Sequence, residues 1–282
     1  MTSKHRAEKA AFAVLALSAI VVIIPVAAIL YFLIANGAKV ISWTFLTQAP
    51  RSGMTEGGVF PAIIGTLYLL VGTIAFAVPV GIFAAIYLTE YAPKNAFTRL
   101  IRLAIVNLAG VPSIVYGLFG YGLFVLFLHF GVSILAGSLT LALLVLPVII
   151  TSAEEALLTV PQSFRDGSLA LGATKWQTIY RVVLPNSAAG IITGVILGVG
   201  RAAGETAPIM FTAAAFYLPK LPQSAMDKCM ALPYHLYVLV SEAFGASEGM
   251  KWGTALVLLI LVLGMNLIAA IIRGRFRRSR TW

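Results

Sequence analysis

Long apolar runs separated by short polar segments organise the whole chain. A helix crosses the roughly 30 Å hydrocarbon core of a bilayer with about 20 apolar residues, each adding about 1.5 Å. Six runs reach that length: Ala10–Ala35, Phe60–Thr89, Leu103–Phe130, Gly137–Leu157, Ala188–Tyr217 and Thr254–Ile272. The pattern predicts an all-α membrane protein with about six transmembrane helices. Gly and Pro interrupt the third and fifth runs, which neighbouring helices tolerate inside a membrane bundle.

The polar segments orient these spans, because Lys and Arg accumulate on the cytoplasmic side. With the N-terminus inside, the cytoplasm receives Lys4, Arg6 and Lys9; Lys94, Arg99 and Arg102; Arg165, Lys175 and Arg181; and Arg273, Arg275, Arg277, Arg278 and Arg280. The outside receives Lys39, Arg51, Lys220, Lys228 and Lys251, leaving Arg201 within a span. The expected topology is therefore N-in and C-in. The apolar run after Met1–Lys9 is too long for a signal peptide and reads as a retained first span.

Composition agrees and removes other classes. The 282 residues are 60% hydrophobic and 11% charged, with a mean hydropathy of +0.96, against about 25% charge in a soluble domain. The net charge of +10 lies between apolar runs without interleaved aromatics. It reports topology rather than a nucleic-acid partner. The single cysteine, Cys229, has no internal disulfide partner, and His5, His129 and His235 show no metal spacing. These histidines read as interfacial or loop residues. No GxSxG or HExxH motif marks an intramembrane enzyme, so neither catalytic nor metal-binding residues are expected. Glu154 and Glu155 read as the solvated end of the fourth span.

The cytoplasmic segment Thr159–Pro185 is more ordered in pattern than a linker. Ser163–Leu171 has helix-forming character, and Gly172 suits a left-handed helix-ending conformation. Trp176, Ile179, Tyr180 and Val183 recur at three- and four-residue spacing, which predicts a second, amphipathic helix closed by Pro185. An exposed apolar stripe has to dock on something. No Walker-type phosphate loop occurs in the chain, so any motor is a separate polypeptide.

The run Asp166-Gly167-Ser168, three residues, Gly172, nine residues, then Val182-Val183-Leu184-Pro185 resembles the EAA loop of ABC importer permeases. That pattern has Glu-Ala-Ala first and Ile-x-Leu-Pro last; Asp166, Gly167, Ser168 and Val182 depart from it. The resemblance implies a type I importer permease fold. It also implies a coupling helix seated on an ATPase subunit, with Asp166, Gly167, Ser168, Ala170, Gly172, Ala173, Trp176, Leu184 and Pro185 forming the loop.

Three further stretches resemble the phosphate permeases of that superfamily. They are Gly65–Tyr68 with Val78–Gly81 and Ala84–Tyr91; Ala109–Gly117; and Gly200–Pro208. The run Gly204–Thr212 is similar to the A type of their two homologous permeases. The resemblance implies a bacterial or archaeal plasma (inner) membrane and a pathway for inorganic phosphate. It implies as partners a second permease of the C type, two ATPase subunits carrying ATP and Mg, and an extracellular or periplasmic phosphate-binding protein. This chain itself holds no cofactor. Another oxyanion, sulfate or molybdate, is the alternative cargo; a passive channel would not require the docking loop. The resulting layout is a cytoplasmic N-terminus at 1–9, a first span and external loop at 10–59, a permease core at 60–273 with its coupling loop at 159–187, and a basic tail at 274–282.

Arg201 and Glu205 are the chemical singularity. A charge at mid-bilayer is costly, so such residues face a partner or water. Their i, i+4 spacing puts both on one helix face, and a guanidinium can give two parallel hydrogen bonds to phosphate oxygens. The reading is a pathway cation at Arg201, held and partly neutralised by Glu205, with a fixed structural pair as its competitor. Thr206 is a weaker hydroxyl candidate. Pro208 is expected to kink the fifth span. Gly190, Gly194 and Gly198 form a packing seam against other spans or the partner permease, with Gly200 and Gly204 on another face. Pro112 marks a bend in the third span. The long outside segment Leu218–Trp252 either meets a binding protein or covers the pore mouth.

Overall fold

The computed structural model of the chain describes residues 2–278 except 244. Among the described residues five helices are long and apolar enough to cross a membrane: Ala11–Gly37, Phe60–Tyr91, Ile134–Leu158, Lys175–Gly204 and Glu248–Arg275. A pair of helices bent by 104° at a short break, Ala96–Leu108 and Ser113–Phe127, is long and apolar enough only when the two pieces are taken together, and stands where the sequence predicts the third span. Part of the expected basic tail, 279–282, lies outside the described residues.

In chain order, α1 (Thr2–Gly37) leads through α2 (Trp43–Thr47) and a two-stranded antiparallel hairpin, β1 (Pro50–Arg51) with β2 (Glu56–Gly57), to α3 (Phe60–Ile86). Next come α4 (Ala96–Leu108), α5 (Ser113–Gly120) and α6 (Ile134–Leu158). The cytoplasmic α7 (Gln162–Ala170) and α8 (Lys175–Thr178) precede α9 (Leu184–Gly204). The short α10 (Ala207–Thr212), the external α11 (Leu232–Ser241) and α12 (Glu248–Arg278) complete the chain.

The centre of the bundle is α3, α6 and α9. Burial of Ala62, Thr66, Leu69, Leu70, Thr73, Ala77, Gly81 and Ala85 at helical spacing turns one face of α3 onto α6. In lipid the tails are as apolar as Leu, so close packing and internal hydrogen bonds hold helices together. The α6–α9 seam shows how. Cβ atoms added to Gly190, Gly194 and Gly198 would meet Ala156, Ser152 and Ile149. The seam therefore lies within the chain. Gly200 instead backs onto Asn266 of α12, while a Cβ added to Gly204 would meet no described atom within 4 Å outside its own helix.

Three departures from the sequence reading have identifiable causes. The third span starts at Ala96 rather than Leu103 and breaks before Pro112, whose missing N–H and ring disfavour a continuous helix. Tyr116 Oη donates to the exposed Leu108 carbonyl at 2.9 Å across that break. Pro185 does not close the loop helix, because a π turn at Ile179–Val183 widens the backbone just before it. The helix runs on from Lys175 to Gly204. The fifth span, finally, stops at Gly204 instead of kinking and continuing to Tyr217. A continuing helix would press the Pro208 ring onto the Gly204 carbonyl, four residues back. Pro208 takes up the first turn of α10, where it fits.

The external segment folds inward. Cys229, Met230, Ala231 and Leu232 are fully buried, and the Leu232 N–H donates to Thr66 Oγ1 of α3 at 2.8 Å. His235 on α11 is 1% exposed, not interfacial. Among the described residues neither ring nitrogen has a hydrogen-bond partner, and burial pushes its pKa down to about 4.

Candidate functional site

Arg201 sits in the last turn of α9, opposite the middle of α6, since its neighbour Gly198 faces Ile149 and Val145. Glu205 lies just past the helix end, with extended backbone angles of φ −74° and ψ 131°. The two side chains meet, but not along one helix face as the spacing predicts. The broken helix turns Glu205 back towards Arg201, whose Nε reaches Glu205 Oε1 at 3.4 Å. That is long for a charge-assisted bond, which prefers about 2.7–2.9 Å.

Exposure divides the pair. The Arg201 side chain is 34% exposed and the Glu205 side chain 16%. Glu205 borders a narrow, mostly apolar cleft of about 10 Å³ lined by Leu69, Leu141, Ile209 and Pro233. Among the described residues neither terminal nitrogen of Arg201 donates a hydrogen bond. The result is a guanidinium steadied at its root with its two-pronged end free. Thr206 begins α10 without a side-chain cap bond, and its carbonyl accepts from Met210 N–H at 3.1 Å.

A second charged cluster, which the sequence reading missed, stands at the cytoplasmic end. Span α3 finishes in a π turn, Tyr87–Tyr91, that carries Glu90. Arg165 of α7 donates to Glu90 Oε1 from Nε at 3.2 Å and from Nη2 at 2.9 Å. It also donates to the Leu157 carbonyl at 2.9 Å and to the Val160 carbonyl. Arg165 thus fills the open C-terminal end of α6 and is 9% exposed. Lys175 lies 4.7 Å over the Tyr91 ring, a second tie between the loop and the same π turn. Arg102 of α4 bonds the Leu88 carbonyl at 2.7 Å and pairs with Glu154 at 2.7 Å. That ion pair is close in distance but too bent for a hydrogen bond, since Glu154 Oε1 lacks a partner of good geometry. Glu154 is therefore paired and largely enclosed, not solvated; Glu155 is exposed.

The loop between α6 and α9 presents its other face outward. Gly172 adopts φ +83° and ends α7 as its sequence suggests. Thr174 and Gln177 form a reciprocal capping box that starts α8, and Ser168 Oγ lies 2.9 Å from Thr178 Oγ1, tying the two helices. The expected amphipathic stripe splits. Ile179 and Val183 are buried with Ala85, Ile86 and Leu157, whereas Tyr180 and Trp176 point outward. Asp166, Gly167 and Ala170 are exposed, Ala173 and Ser168 half-buried, and Leu171 is 91% exposed. Leu184 and Pro185 sit half-buried where the helix enters the membrane.

Known proteins share this plan. Residues 77–281 match the family described as "Binding-protein-dependent transport system inner membrane component". The "Phosphate transport system permease protein PstA 1" of Mycobacterium tuberculosis (strain CDC 1551 / Oshkosh) is 37% identical, covering 93% of this chain and 87% of the relative. The "Probable phosphate transport system permease protein PstA" of Methanocaldococcus jannaschii is 33% identical over 86% of this chain and 85% of its own length. Among solved structures, an inward-facing MetNI methionine ABC transporter chain aligns with a TM-score of 0.57 at 18% identity, covering 78% of this chain and 94% of that one. At that identity the likeness concerns the fold.

Proposed function

We propose that this chain, which belongs to the family of binding-protein-dependent transport system inner membrane components, carries inorganic phosphate across the membrane as one half of an ATP-driven importer's pore. It is a multi-pass permease subunit and not a catalyst by itself. In this reading a second permease of the C type completes the pore in the plasma (inner) membrane. Two ATPase subunits bind ATP and Mg and dock on α7 and α8, and an external binding protein delivers phosphate.

The observation that carries the proposal is the state of Arg201. Its Nε is held by Glu205 while its fork donates to none of the described residues, with the side chain one third exposed, at the helix break that ends the fifth span. A planar fork suits two phosphate oxygens. A pathway has to release what it binds, and a carboxylate at 3.4 Å weakens the arginine's grip on a passing anion without cancelling it. The names of the relatives and the Gly200–Pro208 stretch support phosphate over other oxyanions.

The test is radiolabelled phosphate uptake by complexes carrying Arg201→Lys or Glu205→Gln, after their assembly has been shown to be normal. Uptake is expected to fall in both, with sulfate and molybdate failing to compete in the wild-type complex. Full uptake in both variants removes the assigned role, and competition by sulfate removes phosphate as the specific cargo.

A further inference from the structure

Away from the pair, a cavity of about 300 Å³ opens at the cytoplasmic ends of α3 and α6, between Leu158 and the first turns of α4. Lys94, Arg99 and Arg102 line it, and no carboxylate does. Glu154 answers Arg102 from behind at 2.7 Å. Lys94 and Arg99 form no ion pair among the described residues. The positive end of the 13-residue α4 lies at the same wall, begun by Asn95 capping the Thr98 N–H at 2.9 Å. Two enclosed donors there, Thr89 Oγ1 and Arg102 Nε, have no hydrogen-bond partner among the described residues.

Unbalanced cations, spare donors and a helix start all ask for one kind of guest. We propose that this cavity is a binding site for a phosphate-bearing anion, from either an anionic phospholipid headgroup or free inorganic phosphate. Arg99 offers the planar fork that fits tetrahedral oxyanions. The cavity lies where α3 and α6 leave the bilayer, the level of lipid headgroups, and basic pockets between spans on that side bind them. The outward face of the same helix α4 carries Phe97, Leu100 and Leu103, 67%, 62% and 53% exposed, an apolar surface against which acyl chains can lie. The site is independent of the transport reading, because it uses none of the residues assigned to the pathway.

The experiment measures binding rather than uptake. The full chain in its complex is placed in nanodiscs of phosphatidylcholine, with or without phosphatidylglycerol, and bound lipid is counted by native mass spectrometry. A second arm titrates inorganic phosphate into the phosphatidylcholine discs. Lys94→Gln with Arg99→Gln is compared with Arg273→Gln plus Arg275→Gln, which removes equal charge from an exposed helix end. Retention of phosphatidylglycerol is expected to fall roughly thirty-fold in the cavity variant, about five-fold per cation, and to persist in the control. Thr89→Val, which leaves every charge in place, is expected to weaken retention several-fold. Saturable phosphate binding lost in the same cavity variant supports the site and names the free anion as its source. Equal loss from cavity and control variants, or no saturable binding of either anion, overturns the proposal.

Discussion

Arg165 reaches Glu90 through two nitrogens, at 3.2 and 2.9 Å, and spends its remaining reach on two main-chain carbonyls. Arg201 touches Glu205 once, at 3.4 Å, and keeps its fork free. The first guanidinium is walled in by α3, α6 and α7, whereas the second stands at the loose end of α9. A fully satisfied arginine holds elements in place, and a half-satisfied one remains able to meet a passing anion. The sequence gives both residues the same chemistry; only the number of bonds already made tells a brace from a binding group.

Breaking the brace is expected to have the largest effect. Glu90→Gln strands a buried guanidinium, which typically costs about 3–5 kcal/mol. The thermal midpoint of the purified complex should fall sharply, and uptake with it. Exchanging the charges, Glu90→Arg with Arg165→Glu, should not rescue, because the Leu157 and Val160 carbonyls would lose their donor. Rescue would mean that the pair acts by charge alone.

At the other pair the expected loss is functional. Arg201→Lys keeps the charge but removes the fork, so phosphate uptake should fall about ten- to a hundred-fold, the worth of one charged hydrogen bond. The thermal midpoint should barely move. A midpoint falling as far as in Glu90→Gln would make Arg201 a second brace.

The helices under each pair sharpen the contrast further. Gly194→Leu forces a side chain into Ser152 on the rigid α6–α9 seam and should destabilise by about 1–3 kcal/mol. Gly204→Ala, in open space, should leave stability unchanged within about 0.5 kcal/mol by the same thermal measurement. His235 extends the comparison to a buried group with no partner. Its folded pKa near 4 lies below the ordinary 6.5, so the unfolded chain takes up a proton first as pH falls. Stability is complete above about pH 6.5 and declines by up to about 1.4 kcal/mol per pH unit on the way to pH 4. His235→Gln should flatten part of that decline in midpoint-versus-pH curves.

The spans were legible because the bilayer imposes a length, and Arg201 with Glu205 because lipid makes any charge conspicuous. Gly172 was legible because a positive φ favours one residue type. Arg165 was not, since its partner Glu90 lies 75 residues away and a cytoplasmic arginine already has a topological explanation. The break at Glu205 carried a signal in Pro208. A proline four residues beyond Gly204 argues for a stop as much as for a kink. His235 carried one too, since it stands inside the apolar run Leu232–Val240, a pattern that argues for burial rather than for an external loop.

The unbroken helix from Lys175 to Gly204 has a mechanical consequence. Its 30 residues make a rod of about 45 Å, with the loop proposed to dock on the ATPase subunits at one tip and Arg201 near the other. Tilting such a rod by roughly 5° about its lower tip sweeps the upper one sideways by about 3–4 Å, the scale of one hydrogen bond gained or lost. Motor and cargo would thus be geared by a single lever, with a stroke set by its length.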